Sequence, residues 1–171
     1  MEYNFGNGLV PAHRHPNGGG WVADTARVSD NARVAGNAKV YGNAWVYGNA
    51  RVCGKAQVYD TALVYGNARV CGKAQVCGNA RVSDDALVCG DALVCGDAVA
   101  SDEARVYGIM RSDGYCFVAI PCADGLRRVI AGCRYFTHDE ALAHWNATRG
   151  GTPLGDETLA ILAFFRATNQ L

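Results

Sequence analysis

A six-residue phrase fills about half of this chain and decides what it can fold into. From Trp21 to Gly108 the phrase x-Val-[Tyr/Cys/Ser]-[Gly/Asp]-[Asn/Lys/Asp]-Ala recurs about fourteen times without an inserted loop. Its Ala and Val stand two residues apart, so both side chains point to one side of an extended segment and the residue between them points to the other. The Gly, Asp or Asn that follows turns a chain tightly and tolerates positive φ. Each phrase therefore predicts one short strand and one corner.

Three phrases make a triangular coil of eighteen residues, and successive coils stack at the spacing of paired strands, ~4.8 Å. We expect an all-β solenoid, a parallel β-helix of about five triangular coils, over residues 21–108. Residues 1–20 predict an irregular N-terminal cap, because a solenoid needs its apolar end covered. The hexapeptide repeat ends at Gly108, and the sequence of residues 109–171 predicts a small C-terminal α+β cap, a hairpin plus two helices.

The hairpin and the first helix of this cap have clear local signals. Two apolar runs, Tyr115–Ile120 and Leu126–Ala131, are joined through Asp124-Gly125, which favours a hairpin. Thr137 and Glu140 have the spacing of a capping box, which predicts that a helix of about ten residues begins there.

The second helix is expected after a break at Gly150–Pro153, with Asp156 and Glu157 opening it. Its apolar residues cover more than one narrow face, so we expect it to be sandwiched. Either the hairpin and the open end of the last coil cover it, or a neighbouring subunit does.

The hexapeptide period resembles that of the left-handed β-helix proteins of the bacterial hexapeptide-transferase superfamily. The approach to the first coil, Gly18-Gly19-Gly20-Trp21-Val22, also looks like the start of uncharacterised, often prophage-borne hexapeptide proteins that carry acetyltransferase names. The resemblance covers Trp21 to Gly108 and implies a left-handed coil and a parallel trimer. For the acyltransferases it implies a histidine base, a loop inserted between hexapeptides and a coenzyme A groove.

Bulk composition excludes several partners. Sixteen basic and sixteen acidic residues leave no net charge, so nothing overall favours nucleic acid or an anionic membrane. No run approaches the eighteen apolar residues of a membrane span, and the first residues are polar, which predicts a cytoplasmic protein. Five of the eight cysteines occupy one repeat position that Tyr, Ser or Ala fills elsewhere, so we expect reduced thiols: Cys53, Cys71, Cys77, Cys89 and Cys95.

Stacking side chains eighteen residues apart predicts a basic column. It contains Arg33, Arg51, Arg69, Leu87 and Arg105, and corner residues Lys55 and Lys73 follow on the same side. Arg33, Arg51, Lys55, Arg69 and Lys73 form the candidate binding patch. A polyanion, a phosphorylated ligand or an acidic partner would relieve the repulsion between these charges. The alternative is a solvated surface that repeat duplication propagated.

A second column predicts a subunit interface. It carries Trp45 and Leu63, with Tyr47 and Tyr65 one residue past its edge. Adjacent exposed aromatic and aliphatic side chains are typical of interfaces. We expect a homotrimer that uses this face, in agreement with the resemblance.

The repeats offer little for catalysis, because no histidine lies between His15 and His138. His13 and His15 lie two apart, so in an extended segment they would face the same way and could hold a metal, or they lie in a solvated loop. His138 is expected to be exposed in the first turn of its helix, and His144 lies in the same helix. Cys133, beside Arg134, is either a reactive thiol or a packing residue. We therefore predict no catalytic residue, no metal and no cofactor.

Two main hypotheses follow. The first is a non-catalytic trimeric scaffold or binding protein, whose C-terminal cap docks a protein partner or seals the rod, with a phage or prophage accessory role of binding or blocking a host factor. The second is a coenzyme A-dependent acyltransferase-like enzyme whose base comes from the C-terminal cap. A third idea, that the basic patch captures a nucleotide or nucleic acid, ranks below both, and no membrane partner is expected.

Overall fold

The computed structural model of the chain describes residues 1–102, 104–122, 124–132 and 134–168. Its centre is a β-solenoid of about five coils with three flat faces, and each face is a sheet of parallel strands that belong to successive coils. Strands are numbered in chain order. Face A contains β3 (Trp21–Ala23), β6 (Lys39–Val40), β9 (Gln57–Val58), β12 (Gln75–Val76) and β15 (Leu93–Val94).

The other two faces repeat this arrangement. Face B contains β4 (Arg27–Val28), β7 (Trp45–Val46), β10 (Leu63–Val64), β13 (Arg81–Val82) and β16 (Val99–Ala100). Face C contains β5 (Arg33–Val34), β8 (Arg51–Val52), β11 (Arg69–Val70), β14 (Leu87–Cys89) and β17 (Arg105–Tyr107). Paired residues are eighteen apart in every pair of coils, as in Arg51↔Arg69 and Trp45↔Leu63, so the predicted columns are confirmed.

The core of the solenoid is built from the Ala and Val of each phrase. From Ala32 to Val94 these residues are fully buried, while the residue between each pair lies on a face. Backbone bonds join the coils directly: the Arg51 N–H donates to the Ala68 carbonyl at 2.8 Å, and the Cys53 N–H donates to the Val70 carbonyl at 2.9 Å. Ala and Val are small enough to fill the narrow interior of a triangular coil, which explains why no larger apolar residue replaces them there.

The N-terminal segment is more regular than we expected. β1 (Glu2–Asn4) and β2 (Leu9–Arg14) form an antiparallel hairpin, and β2 pairs antiparallel with β3, so face A gains two strands. The prediction of an irregular segment over residues 1–20 was therefore wrong for these strands. Gly20 also donates its N–H to the Val34 carbonyl at 2.8 Å, which covers the first strand of face C.

A four-stranded antiparallel sheet closes the other end of the solenoid. It contains β18 (Ile109–Met110), β19 (Cys116–Pro121), β20 (Arg127–Ala131) and β21 (Arg134–Phe136). The predicted hairpin is its central pair. Val118, Ile120 and Ile130 belong to the same apolar cluster as the solenoid core, so the inner side of the sheet seals the last coil.

Two helices cover the outer side of this sheet: α1 (His138–Arg149) and α2 (Pro153–Ala167). They pack on Phe117, Val129 and Ala131, the residues that alternate with those facing the solenoid. The outer side of α2 is uncovered, because Phe164 is 51% exposed. The expectation that α2 lies between the hairpin and the open end of the last coil was therefore wrong, since the sheet alone covers that end.

The start of α1 follows the prediction and the start of α2 does not. Thr137 accepts the Glu140 N–H at 3.3 Å and Glu140 accepts the Thr137 N–H at 2.8 Å, which completes the capping box. α2 begins at Pro153 with Thr152 as its N-cap, about a turn before Asp156. Proline suits the first helical position because its missing N–H would have no partner there. Neither described helix is long and apolar enough to cross a bilayer.

Candidate functional site

The arginine column of face C is a straight row of exposed cations. Arg33, Arg51 and Arg69 pair in register on β5, β8 and β11, and all three side chains are exposed. A shallow recess of about 200 Å³ lies between them, lined also by Ala35 and Cys53. At a strand spacing of ~4.8 Å, neighbouring guanidinium groups repel by about 1 kcal/mol in water. Among the described residues, none of the three arginines has a carboxylate within ion-pair distance.

The two lysines of the predicted patch behave differently from the arginines. Lys73 Nζ lies 3.4 Å from the Asp91 carboxylate one coil further on, so its charge has a partner. Lys55 is exposed at the corner that follows Arg51. The structure thus brings Arg33, Arg51 and Arg69 into one row with Lys55 beside it. Lys73 pairs with Asp91 instead, so its charge is partly neutralised.

Cysteines form a second column next to the arginines. Cys53 and Cys71 directly follow strands of face C, Cys89 is the last residue of β14, and the three thiols are free. Burial raises the pKa of the Cys53 and Cys71 thiols despite the nearby Arg69. On face A, the pKa of Cys77 is lowered to about 7. A hydrogen bond with Cys95 is the main cause, burial opposes it, and a hydrogen bond with Tyr59 lowers the pKa further. Cys77 is buried, so it is shielded from solvent reagents.

The predicted trimer residues lie together on face B. Trp45 is 42% exposed and Tyr47 is 39% exposed, and the Tyr47 and Tyr65 rings stack with centroids 5.0 Å apart and an interplanar angle of 2°. Leu63 is half-buried between the coils of Trp45 and Arg81. The Arg27 guanidinium lies 4.7 Å from the centroid of the Trp45 ring.

A cavity of about 530 Å³ opens beside this aromatic surface at the first coil. Val22, Val28, Trp45 and Tyr47 contribute to its lining. The cavity exists because β4 is the terminal strand of face B, whereas β2 extends face A and Gly20 covers face C. Sequence reasoning missed this opening, which depends on where residues 1–20 pair.

A second aromatic ladder on face A was also missed. Phe5, Tyr41 and Tyr59 stack with centroids about 5 Å apart, and Tyr3 stacks on Trp21 at 4.2 Å. The eighteen-residue spacing of Tyr41 and Tyr59 was the available signal. Their hydroxyls donate to Gln57 and Gln75 at 3.2 Å, so this ladder is held in place by hydrogen bonds.

The histidines do not converge on a site. His13 Nδ1 lies 2.8 Å from the Asp24 carboxylate, while His15 is only 3% exposed, so the two rings do not share a direction. The interpretation that both rings face the same way was therefore wrong, and so was the alternative that both histidines lie in a solvated loop, since His13 lies in β2 and His15 is buried. The described residues hold no group of three or more metal-ligating side chains.

The two histidines of α1 are packed into the cap. The His138 side chain is 15% exposed, so the expectation of an exposed ring was wrong, and its Nε2 has no hydrogen-bond partner among the described residues. His144 packs against Phe136 and Trp145, and burial, with the nearby Arg134 charge, lowers its pKa. Cys133 lies outside the described residues.

Comparison with known families agrees with this geometry. The profile described as YdcK beta solenoid repeat matches five stretches of the chain, at residues 26–42, 38–54, 44–60, 56–72 and 74–90. All five lie in the coils between β4 and β14. A comparison with curated proteins finds no match. The chain is a β-solenoid repeat protein.

Proposed function

We propose that the protein is a non-catalytic scaffold that assembles as a homotrimer through face B and presents its other faces and its cap to partners. The observation that carries this proposal is the surface formed by the exposed Trp45 and Tyr47 and the half-buried Leu63 and Tyr65, beside an apolar cavity. Tyr and Trp are enriched at the centres of interfaces because they bury a large area with few rotatable bonds. The stacked Tyr47 and Tyr65 rings are already ordered, so association would cost little side-chain entropy.

The rigid solenoid favours this role over catalysis. The acyltransferase-like alternative needs a base from the C-terminal cap, and a base must lie within reach of the proton that it takes. His144 is held between Phe136 and Trp145, and the His138 ring is largely buried. Neither histidine lines a cavity described above, so the acyltransferase-like alternative has no base beside a described cavity.

The partner that we propose is a protein, such as a host factor that a phage or prophage accessory protein binds or blocks. The resemblance of the segment Gly18–Val22 to prophage-borne repeat proteins supports this setting. Phe164 on the uncovered side of α2 is a suitable contact, because it is a large apolar side chain exposed on a regular helix.

A matched pair of substitutions tests the trimer. Leu63 and Leu87 both occupy the outward position of an Ala-Leu-Val triplet and both are half-buried, but they lie on faces B and C. Arginine occupies the same position elsewhere in the solenoid, so the fold tolerates it. We expect sedimentation equilibrium to show a trimer for the wild type and for Leu87→Arg, and a monomer for Leu63→Arg, because the charge would be desolvated in the interface. A monomeric wild type, or equal dissociation by both variants, would refute the proposal.

A further inference from the structure

The arginine column of Arg33, Arg51 and Arg69 combines three features: register, exposure and the absence of acidic partners among the described residues. Four other arginines have partners: Arg111 and Arg128 bind Asp113 and Asp124, and Arg14 and Arg27 lie over tryptophan rings. The column is therefore a row of donors without an acceptor.

The surroundings of the column preserve its positive charge. Next to Arg51 and Arg69, the corners before the strands carry Asn49 and Asn67, and those after them carry Lys55 and Lys73. At the corners that flank face C, Asp30 precedes Arg33 in the first coil, and Asp84, Asp85 and Asp91 flank Leu87, where the column changes from arginine. The corners beside Arg51 and Arg69 carry no acid, so the positive charge of the column is centred on these two arginines.

We infer that this column binds a short linear oligophosphate that lies along the solenoid axis. Guanidinium groups bind phosphate oxygens through paired N–H donors, and three of them at ~4.8 Å intervals match a ligand with several linked anionic groups better than a single anion. The recess of about 200 Å³ beside Arg51 is lined by Ala35 and Cys53, small side chains that leave room for phosphate oxygens. This inference names a ligand class for the proposed binding role, and it concerns a different face from the trimer interface.

The same geometry disfavours single-stranded nucleic acid. Proteins that bind such strands combine a basic groove with aromatic side chains on which the bases stack. The residues that line the recess include no aromatic ring, and the stacked Tyr41–Tyr59 and Tyr47–Tyr65 pairs belong to faces A and B. A phosphate chain without bases supplies acceptors for the three guanidinium groups of the column. Such a chain has two sources, a free inorganic oligophosphate or the tail of a nucleotide.

The test is isothermal titration calorimetry of the full chain with inorganic tripolyphosphate, in magnesium-free buffer at low and at physiological salt. We expect saturable binding that is tighter than that of orthophosphate and that weakens as salt rises. In the variant Arg51→Gln/Arg69→Gln we expect the affinity to fall by roughly tenfold or more, because two charge-assisted contacts are lost. Adenosine triphosphate distinguishes the two sources: equal affinity indicates the phosphate chain alone, and higher affinity indicates a nucleotide tail.

The matched control is Arg81→Gln/Arg105→Gln, which removes the same charge from two other Ala-Arg-Val triplets. We expect it to retain wild-type affinity. Three results would overturn the inference: no saturable binding at low salt, an equal loss in both double variants, or tighter binding of a single-stranded oligonucleotide than of tripolyphosphate. Circular dichroism and thermal unfolding of both variants establish that they are folded. The oligomeric state of face-B variants is independent of this result, so failure of either proposal is recognised separately.

Discussion

At each corner of the solenoid from Gly36 to Asp102, one residue adopts the left-handed conformation, and at most of these corners a Cβ would meet the next coil. A Cβ added to Gly72, at φ +73°, would lie 2.9 Å from the Gly90 carbonyl oxygen. Asp60 and Asp84 occupy equivalent corners at φ 58° and 55°. The Asp60 carboxylate accepts the Gly78 N–H of the next coil at 3.1 Å, which offsets the strain of its conformation. Aspartate therefore replaces glycine where its side chain gains a hydrogen bond to the following coil.

This geometry predicts unequal effects of two alanine substitutions with the same backbone strain. Gly72 and Gly90 have φ of +73° and +72°, but a Cβ on Gly90 would meet nothing within 4 Å. We expect Gly90→Ala to lower the free energy of unfolding by about 1–2 kcal/mol, the cost of a left-handed alanine. Gly72→Ala should cost a further 1–3 kcal/mol or so, because the coils must move apart. Urea unfolding measures both, and equal losses would contradict the inter-coil contact.

At the scale of the elements, the cap sheet is apolar on both sides and couples the solenoid to the helices. Val118 faces the solenoid core, and its neighbour Phe117 faces α1 and α2. A register shift of one residue in β19 would exchange these contacts, so burial on both sides specifies the pairing of β19 with β20. Arg111 is buried at the start of this cap and binds both Asp113 and Thr158 of α2, which ties the sheet to the helix.

Acid should weaken this cap before it affects the core of the solenoid. Hydrogen bonds from Arg111 hold the pKa of Asp113 at about 2, and bonds from Ser112 and Thr137 lower the pKa of Glu157 and Glu140. Because these values are depressed in the folded state, the stability that they contribute is present above about pH 4 and is lost as the pH falls toward 2.

We expect the fluorescence of Trp145, isolated by Trp21→Phe and Trp45→Phe, to change in this window while the far-ultraviolet signal of the strands persists. Asp113→Asn should flatten that pH dependence. A common transition of both signals would contradict separate unfolding of the cap.

The sequence predicted those parts of the molecule that local periodicity determines. Eighteen-residue stacking placed Arg51 against Arg69 and Trp45 against Leu63, because the hydrogen-bonded coils keep a strict register. β2 was missed because Ala12 is its only buried residue, so its sequence shows no alternation. The burial of His138 was missed because it depends on packing between distant segments. The pairing of Lys73 with Asp91 lies at the eighteen-residue spacing, so the same arithmetic would have found it.

At the scale of the whole molecule, the two ends of the rod differ. The C-terminal sheet contributes Val118, Ile120 and Ile130 to the solenoid core and closes it. At the N-terminal end, β2 and Gly20 cover faces A and C, and β4 leaves face B with a free strand edge beside Trp45. An unpaired edge can add a strand from another chain, so strand addition is expected at the N-terminal end of face B and not at the sealed C-terminal end.

The cap should stabilise the solenoid as an additional coil would, because each coil of a solenoid is stabilised mainly by its immediate neighbours. Changing Ile120 or Ile161 to alanine tests this, because the same side chain is shortened at two different places. Ile120 packs in the solenoid cluster, and Ile161 packs between the helices and the outer side of the sheet. Each change to alanine should cost about 2–5 kcal/mol locally. We expect hydrogen exchange to rise in β14–β17 for Ile120→Ala but only in α1 and α2 for Ile161→Ala. Unchanged exchange in β14–β17 of Ile120→Ala would mean that the coils are stable without their cover, and the sheet would then serve only to position the helices.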